Sequence, residues 1–125
     1  QHPLITLNSV VSKEQIIELQ KECKNIQISD LIKEYITNIT QATRYHSSIA
    51  FGVSPRGTIS LMKASKALAM LKNRNYVLPD DVKYLIQPVL SHRIVLENDE
   101  RLRGKKPEDI LDDIIKSIKI PVAIE

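Results

Sequence analysis

The chain has 125 residues, of which 42% are hydrophobic and 26% charged, and its formal net charge is +3. This length suits one domain with a single core, and no apolar run reaches the roughly 18 residues of a membrane span, so neither a two-domain enzyme nor membrane insertion is expected. Of the three glycines, only Gly52 and Gly57 have the spacing of a phosphate-binding loop. Thr58 and Ile59 follow them in place of lysine and serine or threonine, which excludes an autonomous P-loop hydrolase.

Metal binding and nucleophilic catalysis find no support in the sequence. His2, His46 and His92 are dispersed, and Cys23 is the only cysteine, so no metal site is predicted. A lone cysteine fits a reducing, cytoplasmic compartment. The chain begins at Gln1 without a basic and apolar signal pattern, and we therefore expect a piece of a longer protein.

The first two predicted helices each follow a serine cap. Ser12 and Gln15 form a capping-box pattern that predicts a helix over residues 13–24. Ser29 caps a second helix predicted over residues 30–46. Helical spacing assigns the following side chains to their buried faces: Ile16, Leu19, Gln20, Cys23, Leu31, Ile32, Tyr35, Ile36, Ile39 and Ala42.

The third predicted helix has the clearest local start. Ser54 is a suitable N-cap, and Pro55 occupies the first helical position, where its missing N–H costs nothing. The pattern predicts a helix to about residue 72 that buries Leu61, Ala64, Leu68 and Leu71.

Two more helices complete an all-α bundle of about five helices with short extended links. One begins at Pro79 and is kinked or ended by Pro88, and the last spans residues 107–117. Helical spacing assigns the following side chains of these two helices to the core: Val82, Leu85, Ile86, Ile110, Leu111, Ile114 and Ile115. Residues 94–96 are predicted as a short extended piece and residues 97–106 as a loop. The acidic pairs Asp80 with Asp81 and Glu108 with Asp109 lie in first helical turns, where the helix dipole explains them without acid–base catalysis, and no catalytic role is expected for Asp112 with Asp113 either.

The third helix also carries most of the positive charge. Five basic residues and no acidic residue lie between Arg56 and Arg74, and Arg56, Lys63 and Arg74 project within about 20° of one another, with Lys66 adjoining. One hypothesis is therefore a stand-alone helical module that binds nucleic acid or an acidic protein through residues 56–74. The chain has no tryptophan and few aromatic residues to stack on bases, which makes nucleic acid an unlikely partner.

Arg56 is the best single candidate for binding an anion. It lies in the first turn of the predicted helix, where free N–H groups and the positive end of the dipole attract anions, and a guanidinium suits phosphate oxygens. The alternative is an ordinary surface arginine, or one paired with a carboxylate of a neighbouring helix.

Several ordered segments together resemble the C-terminal lid of a MoxR-family AAA+ ATPase. They are residues 51–58 (FGVSPRGT), 61–67 (LMKASKA), 73–82 (NRNYVLPDDV) and 88–93 (PVLSHR). The outer parts of the chain, near Pro3 and near Pro121, are similar to the entry and the end of such a lid. The chain departs from the family at Leu78, where threonine or serine is common, and at Gly57, where alanine is usual.

The resemblance implies that residues 1–11 are a linker from a preceding AAA+ core and that residues 12–125 are the helical lid. The core would hold ATP and Mg²⁺ with the Walker motifs, and this chain alone would be inactive. Arg56 would be the sensor-2 arginine that reaches the γ-phosphate, with Ser54 and Pro55 setting its position. The resemblance further implies a homo-oligomeric ring, a hexamer in such families, that acts as a chaperone-like remodelling machine on an unidentified client protein.

Overall fold

The computed structural model describes residues 3–122 and is mostly helical, which confirms the all-α prediction. A 3-10 turn at Pro3–Thr6 comes first and another, at Ser91–Arg93, follows α4. None of the described helices is long and apolar enough to cross a membrane. The helices and strands are α1 (Lys13–Lys24), α2 (Asp30–Tyr45), β1 (Ile49–Phe51), α3 (Pro55–Leu71), α4 (Pro79–Leu90), β2 (Val95–Leu96), α5 (Asn98–Leu102) and α6 (Pro107–Ser117).

The first two helices begin where their caps predicted. The Gln15 N–H donates to Ser12 Oγ at 3.1 Å and the Ser12 N–H donates to Gln15 Oε1 at 2.7 Å, which completes the capping box. The Ile32 N–H donates to Ser29 Oγ at 3.2 Å at the start of α2. These local bonds satisfy N–H groups that the helices cannot pair internally.

A short antiparallel ribbon joins the two halves of the chain. β1 pairs with β2, with Ile49 opposite Leu96 and Phe51 opposite Val95, and the register shifts between these pairs. The Glu97 N–H extends the contact by donating to the Ser48 carbonyl at 2.9 Å. The ribbon therefore brings the segment after α4 against the segment that leads into α3.

The core lies between α2, α3, α4 and α6, with the inner side of the ribbon closing one end. α4 and α6 bury the side chains that helical spacing predicted, including Val82, Ile86 and Ile110. The buried apolar residues are Ile26, Ile32, Tyr35, Ile36, Ile39, Ile49, Val53, Leu61, Ala69, Val77, Val82, Ile86, Leu90, Ile94, Leu96, Ile110, Leu111 and Ile114.

The predicted buried faces of α1 and α3 are partly wrong. α1 buries none of its residues, and Ile16 and Leu19 are each nearly half exposed. On α3 the fully buried positions follow a spacing of four through Gly57, Leu61, Ser65 and Ala69. Three of these four residues are small because α3 packs closely against α2 and α4, which leaves little room between the helices. Two other predicted core leucines are solvent-exposed: Leu31, at 48%, and Leu71, at 77%.

Two local expectations in the second half also change. α4 continues through Pro88 to Leu90. Pro88 has no N–H to donate to the Tyr84 carbonyl, but both residues lie on the exposed side of the helix, where water can bind that carbonyl. The predicted loop contains the short helix α5, where the Arg101 N–H donates to the Glu97 carbonyl at 3.1 Å. Gly104, with φ of 82°, ends this turn.

The turn between α3 and α4 is held by a buried ion pair. Arg74 Nη2 donates to Asp81 Oδ1 at 2.6 Å and Nη1 donates to Asp81 Oδ2 at 2.8 Å. Lys72 Nζ lies 3.7 Å from the same carboxylate, and the Leu78 N–H donates to it at 2.8 Å. The Asp81 side chain is 1% exposed and that of Arg74 is 18% exposed, so water screens this pair only weakly.

The surroundings of Asp81 lower its pKa. Burial by itself raises the pKa of this carboxyl, but hydrogen bonds from Arg74 and the Leu78 N–H, together with the charges of Arg74 and Lys72, outweigh that effect. The hydrogen bond to Asp81 likewise raises the pKa of Arg74. Asp81 also explains how α4 starts without a capping side chain at Leu78, because its carboxylate accepts the Leu78 N–H.

The Asp81→Asn variant should lower the free energy of unfolding by about 2 kcal/mol, less than for a fully dry pair because Arg74 can be partly rehydrated. Asp80→Asn is the matched control, since Asp80 lies one position earlier in the same helical turn but is exposed. Urea denaturation followed by circular dichroism at neutral pH measures both changes. Equal losses in the two variants would contradict a special role for the buried pair.

The lowered pKa of Asp81 also predicts an acid dependence. A carboxyl whose pKa is lower in the folded state contributes stability above its unfolded pKa of about 4, and loses it as pH falls through the folded value. The free energy of unfolding should therefore fall more steeply on acidification below pH of about 4 in the wild type than in Asp81→Asn. Parallel pH profiles for the two proteins would show that Asp81 does not carry this dependence.

Candidate functional site

The segment Ser54–Pro55–Arg56 forms the first turn of α3, as predicted. Ser54 takes the extended backbone of an N-cap and Pro55 occupies the first helical position. The Ser54 hydroxyl does not cap the helix, contrary to expectation. The reason is that the Gly57 N–H, the usual partner of such a hydroxyl, donates to the Ser54 carbonyl at 2.9 Å, and the Thr58 N–H donates to it at 3.2 Å.

Arg56 points away from the protein core. Its side chain is exposed, and within residues 3–122 it forms no hydrogen bond or ion pair. The first turn of α3 also lacks acidic residues, so no carboxylate of that turn neutralises the positive end of the helix. The guanidinium is therefore available to an anion supplied from outside this part of the chain, and the positive end of the helix dipole favours such an anion.

Val53, directly before this turn, is held at both of its backbone polar groups by side chains of α2. The Val53 N–H donates to Thr43 Oγ1 at 2.9 Å, and the Thr43 hydroxyl donates to the Thr40 carbonyl at 2.6 Å. Arg44 Nε donates to the Val53 carbonyl at 2.8 Å. We call Thr43 and Arg44 the α2 clamp.

Two glycines allow the close packing around this turn. A Cβ at Gly52 would lie 2.7 Å from backbone atoms of Thr43 and Arg44, so Gly52 lets the two main chains touch. A Cβ at Gly57 would collide with Val53 Cγ1 and lie 3.2 Å from Arg93 Cδ. The departure from the family pattern at Gly57 therefore has a steric reason in the surrounding side chains.

The predicted basic face of α3 is smaller than its sequence indicated. Arg74 leaves that face and binds Asp81, because the chain turns at Asn73, whose φ is 60°, before reaching α4. Lys63 is exposed and Lys66 half-buried on the helix. The surface proposed to bind nucleic acid or an acidic protein therefore does not include Arg74, whose charge is paired with the buried Asp81 carboxylate.

Sequence reasoning missed three residues at this site: Thr43, Arg44 and Arg93. Arg93 Nε donates to the Val89 carbonyl at 3.0 Å, which holds its side chain beside Gly57. A polar pair three residues apart on a largely apolar helix face, Thr40 and Thr43, was the available signal for the clamp. In the described part of the chain, no three His, Cys, Asp or Glu side chains come together as a metal site would require.

The AAA lid domain family matches residues 41–114, which include the α2 clamp, the whole of α3 and the Arg74–Asp81 pair. The chain belongs to the AAA lid domain family. Relatives and solved structures agree with a lid of the MoxR-type AAA+ ATPases, which confirms the resemblance seen in the sequence.

Three similar proteins illustrate the relationship. The uncharacterized protein YeaC of Bacillus subtilis is 47% identical over 97% of the chain, and "Chaperone MoxR1" of Mycobacterium tuberculosis is 29% identical over 90% of it. The crystal structure of a protein from Cytophaga hutchinsonii, described as a candidate ATPase, matches 92% of the chain at 31% identity with a TM-score of 0.88. The chain spans only 38% of YeaC, 32% of MoxR1 and 38% of the Cytophaga protein.

Gly57→Ala tests the packing of the first turn. We expect it to lower the free energy of unfolding by about 1 to 2 kcal/mol, because overpacking against Val53 outweighs the better helix propensity of alanine. In a Val53→Ala background, which removes the colliding methyl groups, the same substitution should be neutral or stabilising. Urea denaturation of the four proteins of this cycle measures the coupling. Stabilisation by Gly57→Ala in the wild type would refute the steric argument.

Proposed function

We propose that this lid closes over ATP bound by an AAA+ core elsewhere in the same protein, and that Arg56 acts as the sensor-2 arginine. In this role the guanidinium contacts the γ-phosphate and stabilises the charge that develops on it during hydrolysis. Mg²⁺ would accompany ATP in the core. Ser54 and Pro55 set the position of Arg56 by starting α3 immediately before it, with the Ser54 carbonyl accepting two N–H groups of the first turn.

One observation carries this proposal: Arg56 has no partner among residues 3–122, whereas neighbouring arginines do. Arg44 donates to the Val53 carbonyl, Arg93 to the Val89 carbonyl and Arg74 to the Asp81 carboxylate. An exposed guanidinium at a helix N-terminus with no nearby acid is suited to phosphate oxygens. The AAA lid domain family supplies the context in which a nucleotide would be that anion.

We assign residues 1–11 to the linker from the core and residues 12–125 to the lid. The exposed apolar side chains near the start of the chain support a contact with the remainder of the protein. They are Ile5, Leu7, Val10, Val11, Ile16, Ile17 and Leu19. A concentration of exposed apolar residues in one part of a chain is typical of a surface that another domain or subunit covers.

The whole protein, in this proposal, is an ATP hydrolase that works in the cytoplasm. It forms a homo-oligomeric ring, a hexamer, and remodels a client protein in the manner of a chaperone. The lid alone should be inactive, because a single arginine and one helix terminus supply too few contacts to bind and activate ATP. The naming of a close relative as a chaperone supports the remodelling role.

Arg56→Ala in the full-length protein should lower kcat for ATP hydrolysis by about 100-fold, the effect of removing one charge that stabilises a transition state. Lys63→Ala is the matched control, because Lys63 is an exposed cation on the same helix without a proposed phosphate contact. Steady-state ATPase assays and thermal unfolding of both variants provide the measurement. A kcat within about twofold of wild type for a folded Arg56→Ala protein would rule out the sensor role.

A further inference from the structure

We infer that the α2 clamp, Thr43 and Arg44, consists of positioning residues for Arg56. This inference rests on the proposed function and adds to it the residues that set the geometry of the arginine. Neither clamp residue needs to touch nucleotide in this role. Both act through Val53, which the chain places three residues before Arg56.

The clamp pairs both backbone polar groups of Val53. Val53 is buried, and its N–H has the Thr43 hydroxyl as its partner, at 2.9 Å. The Thr43 hydroxyl can accept this bond while donating to the Thr40 carbonyl at 2.6 Å, so its hydrogen is directed along α2 and its lone pair toward Val53. The buried Thr43 side chain thus fixes the position of the Val53 N–H.

Arg44 holds the same residue from the outside. Its side chain lies on the exposed side of α2, yet Nε is committed to the Val53 carbonyl at 2.8 Å. A hydrogen bond from a charged donor is stronger than one between neutral groups. The two clamp residues are adjacent in the last turn of α2, and one binds the Val53 N–H while the other binds the Val53 carbonyl. Together these bonds restrict both translation and rotation of the Val53 backbone relative to α2.

Little freedom remains between Val53 and the Cα of Arg56. Pro55 has a restricted φ, and the Ser54 carbonyl is engaged by the Gly57 and Thr58 N–H groups. Gly52 fixes the approach on the other side, because its main chain lies directly on the backbone of Thr43 and Arg44. Loss of either hydrogen bond to Val53 should therefore shift the first turn of α3 and change the direction of the Arg56 side chain.

The test uses ATPase kinetics of the full-length protein. Thr43→Val keeps the side-chain shape and removes the hydroxyl, whereas Thr43→Ser keeps the hydroxyl. Arg44→Met extends as far as the position of Nε but removes the donor, whereas Arg44→Lys keeps a flexible donor, one atom further out, for the Val53 carbonyl. We expect Thr43→Val and Arg44→Met to lower kcat by about tenfold with little change in KM, the result of misplacing a group that acts in the transition state. Thr43→Ser and Arg44→Lys should recover most of that loss.

Matched controls and a double-variant cycle separate positioning from a loss of general stability. Thr37→Val makes the same chemical change as Thr43→Val, and Lys33→Met likewise replaces a cation by methionine; both lie at exposed positions of α2 and should leave kcat unchanged. In an Arg56→Ala background, Thr43→Val and Arg44→Met should add no further loss, because they act through the missing guanidinium. Should Thr43→Val fail to fold, the surface substitution Arg44→Met still decides the question, with thermal unfolding as its check.

The outcomes are distinguishable. If Arg56→Ala lowers kcat but the clamp variants do not, or if they lower it equally with and without Arg56, the positioning role is wrong and the sensor assignment stands. If Arg56→Ala itself leaves kcat unchanged, the sensor assignment fails and the positioning role fails with it. Loss of kcat in the clamp variants that depends on Arg56 supports both.

Discussion

The fold depends on one close contact between two main chains, where residues 52–53 lie on the last turn of α2. The absence of a side chain at Gly52 permits the contact, and hydrogen bonds to both polar groups of Val53 hold it in place. β1 precedes this point and α3 follows it, so both take their positions from α2. β1 in turn pairs with β2, which brings the end of α4 to the start of α3. Without this contact, the position of the first turn of α3 relative to α2 would not be fixed.

A second feature of the structure is that its arginines have different roles, and of those discussed only Arg56 and Arg74 belong to the basic run of residues 56–74. Arg74 neutralises a buried carboxylate, whereas Arg44 and Arg93 each donate Nε to a backbone carbonyl. Guanidinium groups suit these tasks because their several fixed donors can satisfy protein groups while the charge stays partly hydrated. Arg56 differs in pointing outward with no partner in the described chain, and this contrast gives it its functional interest.

Apolar surface is unevenly distributed over the described residues. The helices from α2 onward share a core, but α1 buries none of its residues. Residues 3–20 are all exposed although many of them are apolar. Since the lid spans little more than a third of YeaC and of the Cytophaga structure, a surface of this kind is consistent with a domain that works against other parts of a larger protein.

Local signals determined most of the secondary structure. The capping box at Ser12, the cap at Ser29 and the prolines that open α3, α4 and α6 act within one helical turn, so they can be read directly from the order of residues. The buried faces of α4 and α6 also followed their spacing. The lid family and the candidate role of Arg56 emerged from ordered motifs and from the chemistry of a helix start, which likewise need no long-range contact.

Tertiary structure alone decided the rest, because those features depend on residues far apart in sequence or on which faces meet. Periodicity predicted an apolar stripe on α1 but could not show that residues 3–122 leave every residue of this helix at least partly exposed. A helical wheel placed Arg74 on the same face as Arg56, but the chain turns at Asn73 and the Arg74 side chain binds the Asp81 carboxylate instead. The same holds for the α2 clamp: the residues and the spacing are visible in the sequence, but only the packing of residues 52–53 against α2 brings Thr43 and Arg44 to the two sides of Val53.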